Sequence, residues 1–186
     1  MIPIILDGKI IPIALIGEGE PAKKRLALLR EGGAEKLTLF SPAQSLKAEG
    51  GEHGFAHLPS EKELSSFAVI FIAGIEEKTA YILAEKARKA NVLVNLEDVK
   101  THCDFHVPAL IRRGRLLFTV STGGASPALA RRLKEYLGKI FPEIWKERVE
   151  ELAEQRRKWR KQNCSFVELS EKSNHWIEEK KWLEKH

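Results

Sequence analysis

Gly17, Gly19 and Ala22 stand at the spacing G-x-G-x-x-A, after an apolar run and before a stretch of helical character. That spacing is suited to holding a pyrophosphate. The first glycine makes a tight turn, and the second lets backbone approach the ligand. The small Ala22 lets helix and strand pack closely. Amide N–H groups at the helix start then meet the phosphate. Pro21 suits the first helical turn, where a missing N–H costs nothing. Glu18 and Glu20 bring carboxylates into the same loop, so they must turn to solvent for a phosphate to enter. The acidic residue that usually ends the second strand of such sites is absent. Phe40-Ser41-Pro42 stands there instead. Ser41 can bond an adenosine ribose, but does not choose between NAD and NADP.

Two further groups sit where strands should end. Asn95-Leu-Glu-Asp98 follows an apolar run, and ligands of parallel sheets bind beyond the carboxyl ends of strands. A carboxylate there acts as acid or base; the same Asp also suits a turn or cap. Ser121-Thr-Gly-Gly-Ala-Ser-Pro127 also lies between a strand and a helix. Ser126 reads as the N-cap and Pro127 as the first helical residue. Capping does not account for Thr122, Gly123 and Gly124, which offer hydroxyl and N–H donors to an anion. His102-Cys103-Asp104-x-His106 gathers four metal-ligand types, but no spaced partner pair lies elsewhere, so no fixed metal is expected.

The elements that must position these residues alternate. Asp7-Gly8 between Ile2–Leu6 and Ile10–Ile16 suggests a hairpin. Strands are expected at Leu37–Phe40, Phe67–Ala73, Val92–Val94 and Leu116–Ser121. Helices are expected near Lys23–Arg30, around Lys62, and over Glu76–Ala90 and Pro127–Leu137. Strand–helix alternation implies a doubly wound α/β fold with a parallel sheet. From Glu143 onward the pattern is helical. Trp145, Val149, Leu152 and Trp159 form an apolar seam, with Arg156-Arg-Lys-Trp-Arg-Lys161 a solvated basic face beside it. The late aromatics Trp176 and Trp182 should pack the tail against the body or a partner subunit.

Composition bounds the rest. The 186 residues are 43% apolar and 31% charged, which excludes wholesale disorder. No apolar run approaches the ~20 residues of a membrane helix. Met1–Asp7 lacks the features of a signal peptide. Two cysteines, Cys103 and Cys164, exclude a disulfide scaffold and suit the cytoplasm. Lys and Arg exceed Asp and Glu by five overall, with most of the surplus beyond residue 130. Such a surplus favours an anionic partner.

Taken together, Gly17-x-Gly19-x-x-Ala22-x-x-Arg25, Gly32-Gly-Ala34, Val94-Asn-Leu-Glu-Asp98, Phe105-His-Val-Pro-Ala109 and Ser121 to Arg132 resemble the precorrin-2 dehydrogenase family. That family includes the NAD-binding module of sirohaem synthases and its stand-alone relatives. The resemblance covers about residues 1–150. It implies a Rossmann-type NAD-binding domain, expected over 1–111, and a smaller α/β dimerisation region, expected over 112–142; the helical pattern adds a C-terminal region over 143–186. It implies NAD-dependent oxidation of precorrin-2 to sirohydrochlorin, with ferrochelatase activity left open. It also implies a homodimer; from the residues themselves, neither nucleic acid nor a membrane is expected as a partner.

The family's essential aspartate falls on Asp98. The cofactor loop falls on Gly17, Gly19, Glu20, Pro21 and Ala22, with the adenosine end at Ser41 and Pro42. Ala73 and Gly74 stand where the family has a Thr followed by Asn or Asp, so side-chain contacts to the cofactor are lost there. The substrate loop falls on Thr122, Gly123, Gly124 and Ser126, with Asn95 nearby. Arg112, Arg113, Arg131 and Arg132 are candidate clamps for a polycarboxylate, each also readable as a solvated charge. The rival reading is a non-enzymatic tetrapyrrole or nucleotide carrier of the same fold.

Overall fold

The computed structural model describes residues 1–42, 53–97 and 99–183, which divide into two compact units, Met1–Val107 and Pro108–His186. The first unit ends at Val107. Ala109–Arg113 forms a strand that pairs with the next strand in the chain, and so belongs to the second unit. That unit also takes in both the 112–142 and 143–186 segments.

The first unit is built on five parallel strands: β1 (Ile13–Gly17), β2 (Leu37–Phe40), β3 (Gly54–Phe55), β4 (Val69–Ala73) and β5 (Leu93–Leu96). Their order is β3-β2-β1-β4-β5. Alternate side chains of the central strands fill two separate cores. Ile13, Leu15, Val69 and Phe71 meet Ala22, Leu26 and Leu29 of α1 (Gly19–Glu31). Ala14, Ile16, Ile70 and Ile72 meet Leu64 of α2 (Glu61–Leu64) and Ala80, Leu83, Ala84 and Ala87 of α3 (Glu77–Lys89). Each fully buried Leu or Ile contributes roughly 1.5–3 kcal/mol, which is why β1 and β4 carry no polar residue. The chain leaves β1 for β2 on one side and later adds β4 on the other. The switch point therefore lies between the carboxyl ends of β1 and β4, where Gly17 pairs with Ala73.

The hairpin expected at Asp7-Gly8 does not form. The Asp7 carbonyl accepts the N–H groups of Ile10 and Ile11, and its side chain accepts that of Lys9. The resulting turn docks through Gly8 O onto the Glu35 N–H, so Ile2–Leu6 never folds back along β1 and is exposed.

In the second unit, β6 (Ala109–Arg113) and β7 (Leu116–Val120) form an antiparallel pair turned by Gly114, whose φ is +61°. Helices α4 (Pro127–Ile140), α5 (Trp145–Lys161) and α6 (Phe166–Glu179) follow. The 145–159 seam is real, but α6 and the tail after it cover it within the same chain. Trp159 meets Trp176, and Trp145 meets Trp182. Arg156, read as part of a solvated basic face, donates to Leu169 O and Ser173 Oγ instead. The apolar stripe left uncovered is on α4 and just beyond it: Leu129, Leu133, Tyr136, Ile140 and Ile144, between 40% and 62% exposed. No helix among the described residues is long and apolar enough to cross a membrane.

Candidate active site

The turn from β1 into α1 is fixed by two interlocked glycines. A Cβ on Gly17 would collide with the Ala73 carbonyl oxygen and the Ala22 Cβ, so the residue must be glycine for β1 to lie beside β4. A Cβ on Gly74 would strike the Glu18 carbonyl oxygen, and Gly74 has φ +68°. Gly74 thus serves the approach of β4 to the loop itself. The Glu18 N–H donates to Ala73 O at 3.2 Å and completes the lock. Gly19 differs: it has φ +64°, yet a Cβ there would meet nothing closer than Pro21 Cδ at 3.7 Å.

Glu18 is the extended N-cap residue of α1 and makes no side-chain cap hydrogen bond. The first-turn amides are therefore left to an acceptor from outside the helix. Glu20 turns along the helix to Lys23, 3.2 Å away, and so leaves the loop's mouth. A dinucleotide's pyrophosphate fits this cradle: open space at Gly19, uncapped amides and a carboxylate drawn aside.

At the end of β2, Ser41 is only 1% exposed and its N–H donates to Phe55 O at 2.8 Å; Pro42 supplies the accessible surface there. Phe40, Phe55 and His57 hold their rings nearly parallel, with Phe55 and His57 centroids 5.5 Å apart. His57 carried no expectation from sequence, because the β3 strand that positions it is two residues long.

The end of β5 is braced by the segment that returns past it. Asn95, expected at the substrate, is 6% exposed, and its side-chain amide donates to Phe105 O at 3.0 Å and toward Cys103 Sγ at 3.6 Å. It is an internal strut. Asp104 accepts the Val94 N–H and the Arg88 Nε–H, and Arg88 also donates to the His102 carbonyl. Burial works against the Arg88 charge, but the hydrogen bonds and charges of Asp104 and Glu85 outweigh it and raise the guanidinium pKa. His102 lies against the Tyr81 ring at 4.6 Å. His102 and Asp104 are engaged in these contacts, and no group of three or more potential metal ligands is gathered among the described residues. Asp98 itself lies outside the described residues. Its neighbour Glu97 donates its N–H to Ile72 O, which ties the turn after β5 to β4.

In the second unit, Thr122 closes the loop before α4. Its Oγ1 accepts the Ser126 N–H at 3.0 Å and donates to Ser126 O at 3.1 Å. Ser126 caps α4 through the Leu129 N–H, as its sequence position suggests. Gly123 and Gly124 both have positive φ, +62° and +86°, which this closed loop requires. Arg113 is not an available clamp: it pairs with Glu143 at 2.9 Å and donates to Phe141 O. Arg131 and Arg132 are exposed on α4.

Comparison with known proteins agrees with this geometry. The family described as "Putative NAD(P)-binding" matches residues 4–109. A sirohaem synthase of Methylococcus capsulatus is 32% identical over 145 residues, covering 76% of this chain and 31% of that protein. A sirohaem synthase of Actinobacillus pleuropneumoniae is 29% identical, covering 96% of this chain and 40% of that one. This chain therefore spans about a third of the length of these relatives. The solved structure titled "SirC, precorrin-2 dehydrogenase" superposes with a TM-score of 0.74 at 26% identity, over 95% of this chain and 89% of that chain. The chain thus belongs to the NAD(P)-binding family whose motifs it carries, that of precorrin-2 dehydrogenases and the NAD-binding module of sirohaem synthases.

Proposed function

We propose that this protein oxidises precorrin-2 to sirohydrochlorin with NAD, a step in sirohaem biosynthesis. The observation that carries the reading is the cradle at the β1–β4 switch point, where the Gly17–Ala73 and Gly74–Glu18 approaches leave Gly19 and the α1 amides open to a pyrophosphate. The likeness to SirC along nearly the whole chain supports the substrate.

When bound, NAD supplies the hydride acceptor. The chain's residues do the rest. Gly17, Gly19 and Ala22 shape the cradle, the α1 amides face the pyrophosphate, and Pro21 preorganises the first turn. Asp98, one residue beyond Glu97 at the end of β5, takes the proton that leaves the macrocycle. Precorrin-2 carries eight carboxylates, and the basic surplus beyond residue 130, with Arg131 and Arg132 exposed, suits such a polyanion. The Thr122–Ser126 loop presents Gly123 and Gly124 to the substrate.

The protein acts as a homodimer, with the α4 stripe from Leu129 to Ile144 as the buried surface. Two free cysteines support the expected cytoplasmic setting. The deciding experiment is anaerobic mixing with precorrin-2 and NAD. NADH and sirohydrochlorin should appear in equal amounts. Tight tetrapyrrole binding without NADH would favour the carrier reading.

A further inference from the structure

We propose that Cys103 is a positioning residue for Asp98: its thiol bonds to Leu96 and Val99, which flank Glu97 and Asp98 in the chain. The inference rests on the reading of Asp98 as the proton acceptor. Cys103 Sγ lies 3.0 Å from Leu96 O and 3.3 Å from Val99 O, and accepts from the Leu96 N–H at 3.3 Å. Asn95 Nδ2 approaches the same sulfur at 3.6 Å. A thiol has one hydrogen to donate, so Leu96 O, the nearer carbonyl, takes it or shares it with Val99 O. One atom therefore touches the last residue of β5 and the residue just after Asp98.

The sulfur can serve as a fixed point because the chain that carries it is itself fixed. The His102 N–H donates to Val99 O at 3.1 Å, and the Asp104 N–H donates to Val94 O at 2.8 Å. The Asp104 carboxylate holds the Val94 N–H and the Arg88 guanidinium, and Phe105 O accepts from Asn95. Residues 102–105 are thus pinned to β5 and α3, and Cys103 reaches Leu96 and Val99 from that anchor. The side chain packs against the core shared by β5 and α3. A small, polarisable group that both donates and accepts fits there, and a purely apolar side chain would leave the Leu96 and Val99 groups without this partner.

Catalytic geometry is sensitive to such support: a shift of about 1 Å in a reacting group can cost ~10²-fold in rate. The test compares Cys103→Ala and Cys103→Ser with the full-length wild type. The Ala variant should bind NADH and precorrin-2 with unchanged affinity and KM, while kcat falls roughly 10–100-fold. The Ser variant keeps a donor and an acceptor and should recover most of kcat. Hydrogen exchange should quicken in the peptide spanning 93–102 of the Ala variant and stay unchanged in α1.

A kcat in the folded Ala variant within about twofold of wild type would overturn the proposal. So would a loss of kcat, KM and melting temperature together in both variants, since that marks general destabilisation. Asp98→Asn, assayed alongside, separates the two readings. If it turns over normally, Asp98 is not the base and both fall. If it is inactive while Cys103→Ala is normal, only the role of Cys103 falls.

Discussion

Val94 and Asp104 exchange two hydrogen bonds: Asp104 donates its N–H to Val94 O at 2.8 Å, and its carboxylate accepts the Val94 N–H at 2.9 Å. A side chain here does the work of a neighbouring strand. β5 is the edge of the sheet, and this pairing satisfies the outward N–H of a residue that is wholly buried. Asp104→Ala should therefore leave a buried N–H without its partner and strip Arg88 of one of its two carboxylates. The expected loss is about 1–3 kcal/mol of unfolding free energy in urea, with Asp104→Asn losing less. An Ala variant as stable as wild type would show that water replaces the carboxylate there.

The two glycines of the phosphate turn should respond differently. Gly17→Ala drives a Cβ into the Ala73 carbonyl, so it should lower the melting temperature and weaken NADH binding together. Gly19→Ala meets no such obstacle and pays only for its left-handed backbone, about 1–2 kcal/mol. If the pyrophosphate lies over Gly19, that variant should lose NADH affinity by roughly tenfold or more while largely keeping its fold. Fluorescence titration with NADH, alongside thermal unfolding, makes the comparison. Equal NADH affinity in wild type and Gly19→Ala would place the phosphates elsewhere.

The sheet was legible because its signals are local. Apolar runs such as Ile13–Ile16 and Val69–Ala73 are closed by glycine turns, and helices such as α3 and α4 begin on identifiable caps. What escaped depends on which partner each group takes, near or far in the chain. Asn95 and Thr122 look like ligand donors in sequence, yet their hydrogen bonds run to Phe105 and Ser126. Ala109–Arg113 ends in two arginines and declares itself a strand only when β7 folds back beside it. The Asp7-Gly8 turn was visible, but which N–H groups would claim the Asp7 carbonyl was not. The α5 seam showed its periodicity without naming α6 as its cover.

That cover redirects the assembly prediction to α4. With the α5 seam packed on α6, the stripe of Leu129, Leu133, Tyr136 and Ile140 recurs at helical spacing and stays 40–62% exposed. Leu133→Glu combined with Tyr136→Glu should give a folded monomer by sedimentation, where wild type sediments as a dimer. Circular dichroism should be unchanged, since neither side chain is buried. Wild type sedimenting as a monomer at micromolar concentration would remove the dimer from the proposal.

The sharpest prediction concerns Asp98. It follows β5 in the chain, the carboxyl end of β5 lies one strand from the β1–β4 switch point, and Asp98 is the proton acceptor of the proposed reaction. Asp98→Asn keeps nearly the same shape but removes a basic, charged oxygen. If Asp98 takes the proton, the variant should fold and bind NADH and precorrin-2 normally, yet lose most turnover. Loss of a general base typically costs ~10²–10⁴-fold, roughly 3–5 kcal/mol of barrier. If Asp98 were only a turn or cap residue, Asn would replace it well, because both residues serve those roles. NADH production from precorrin-2 is the assay, with thermal unfolding as the control for folding. A variant of normal stability that turns over within about threefold of wild type, well short of that range, would remove Asp98 from the mechanism.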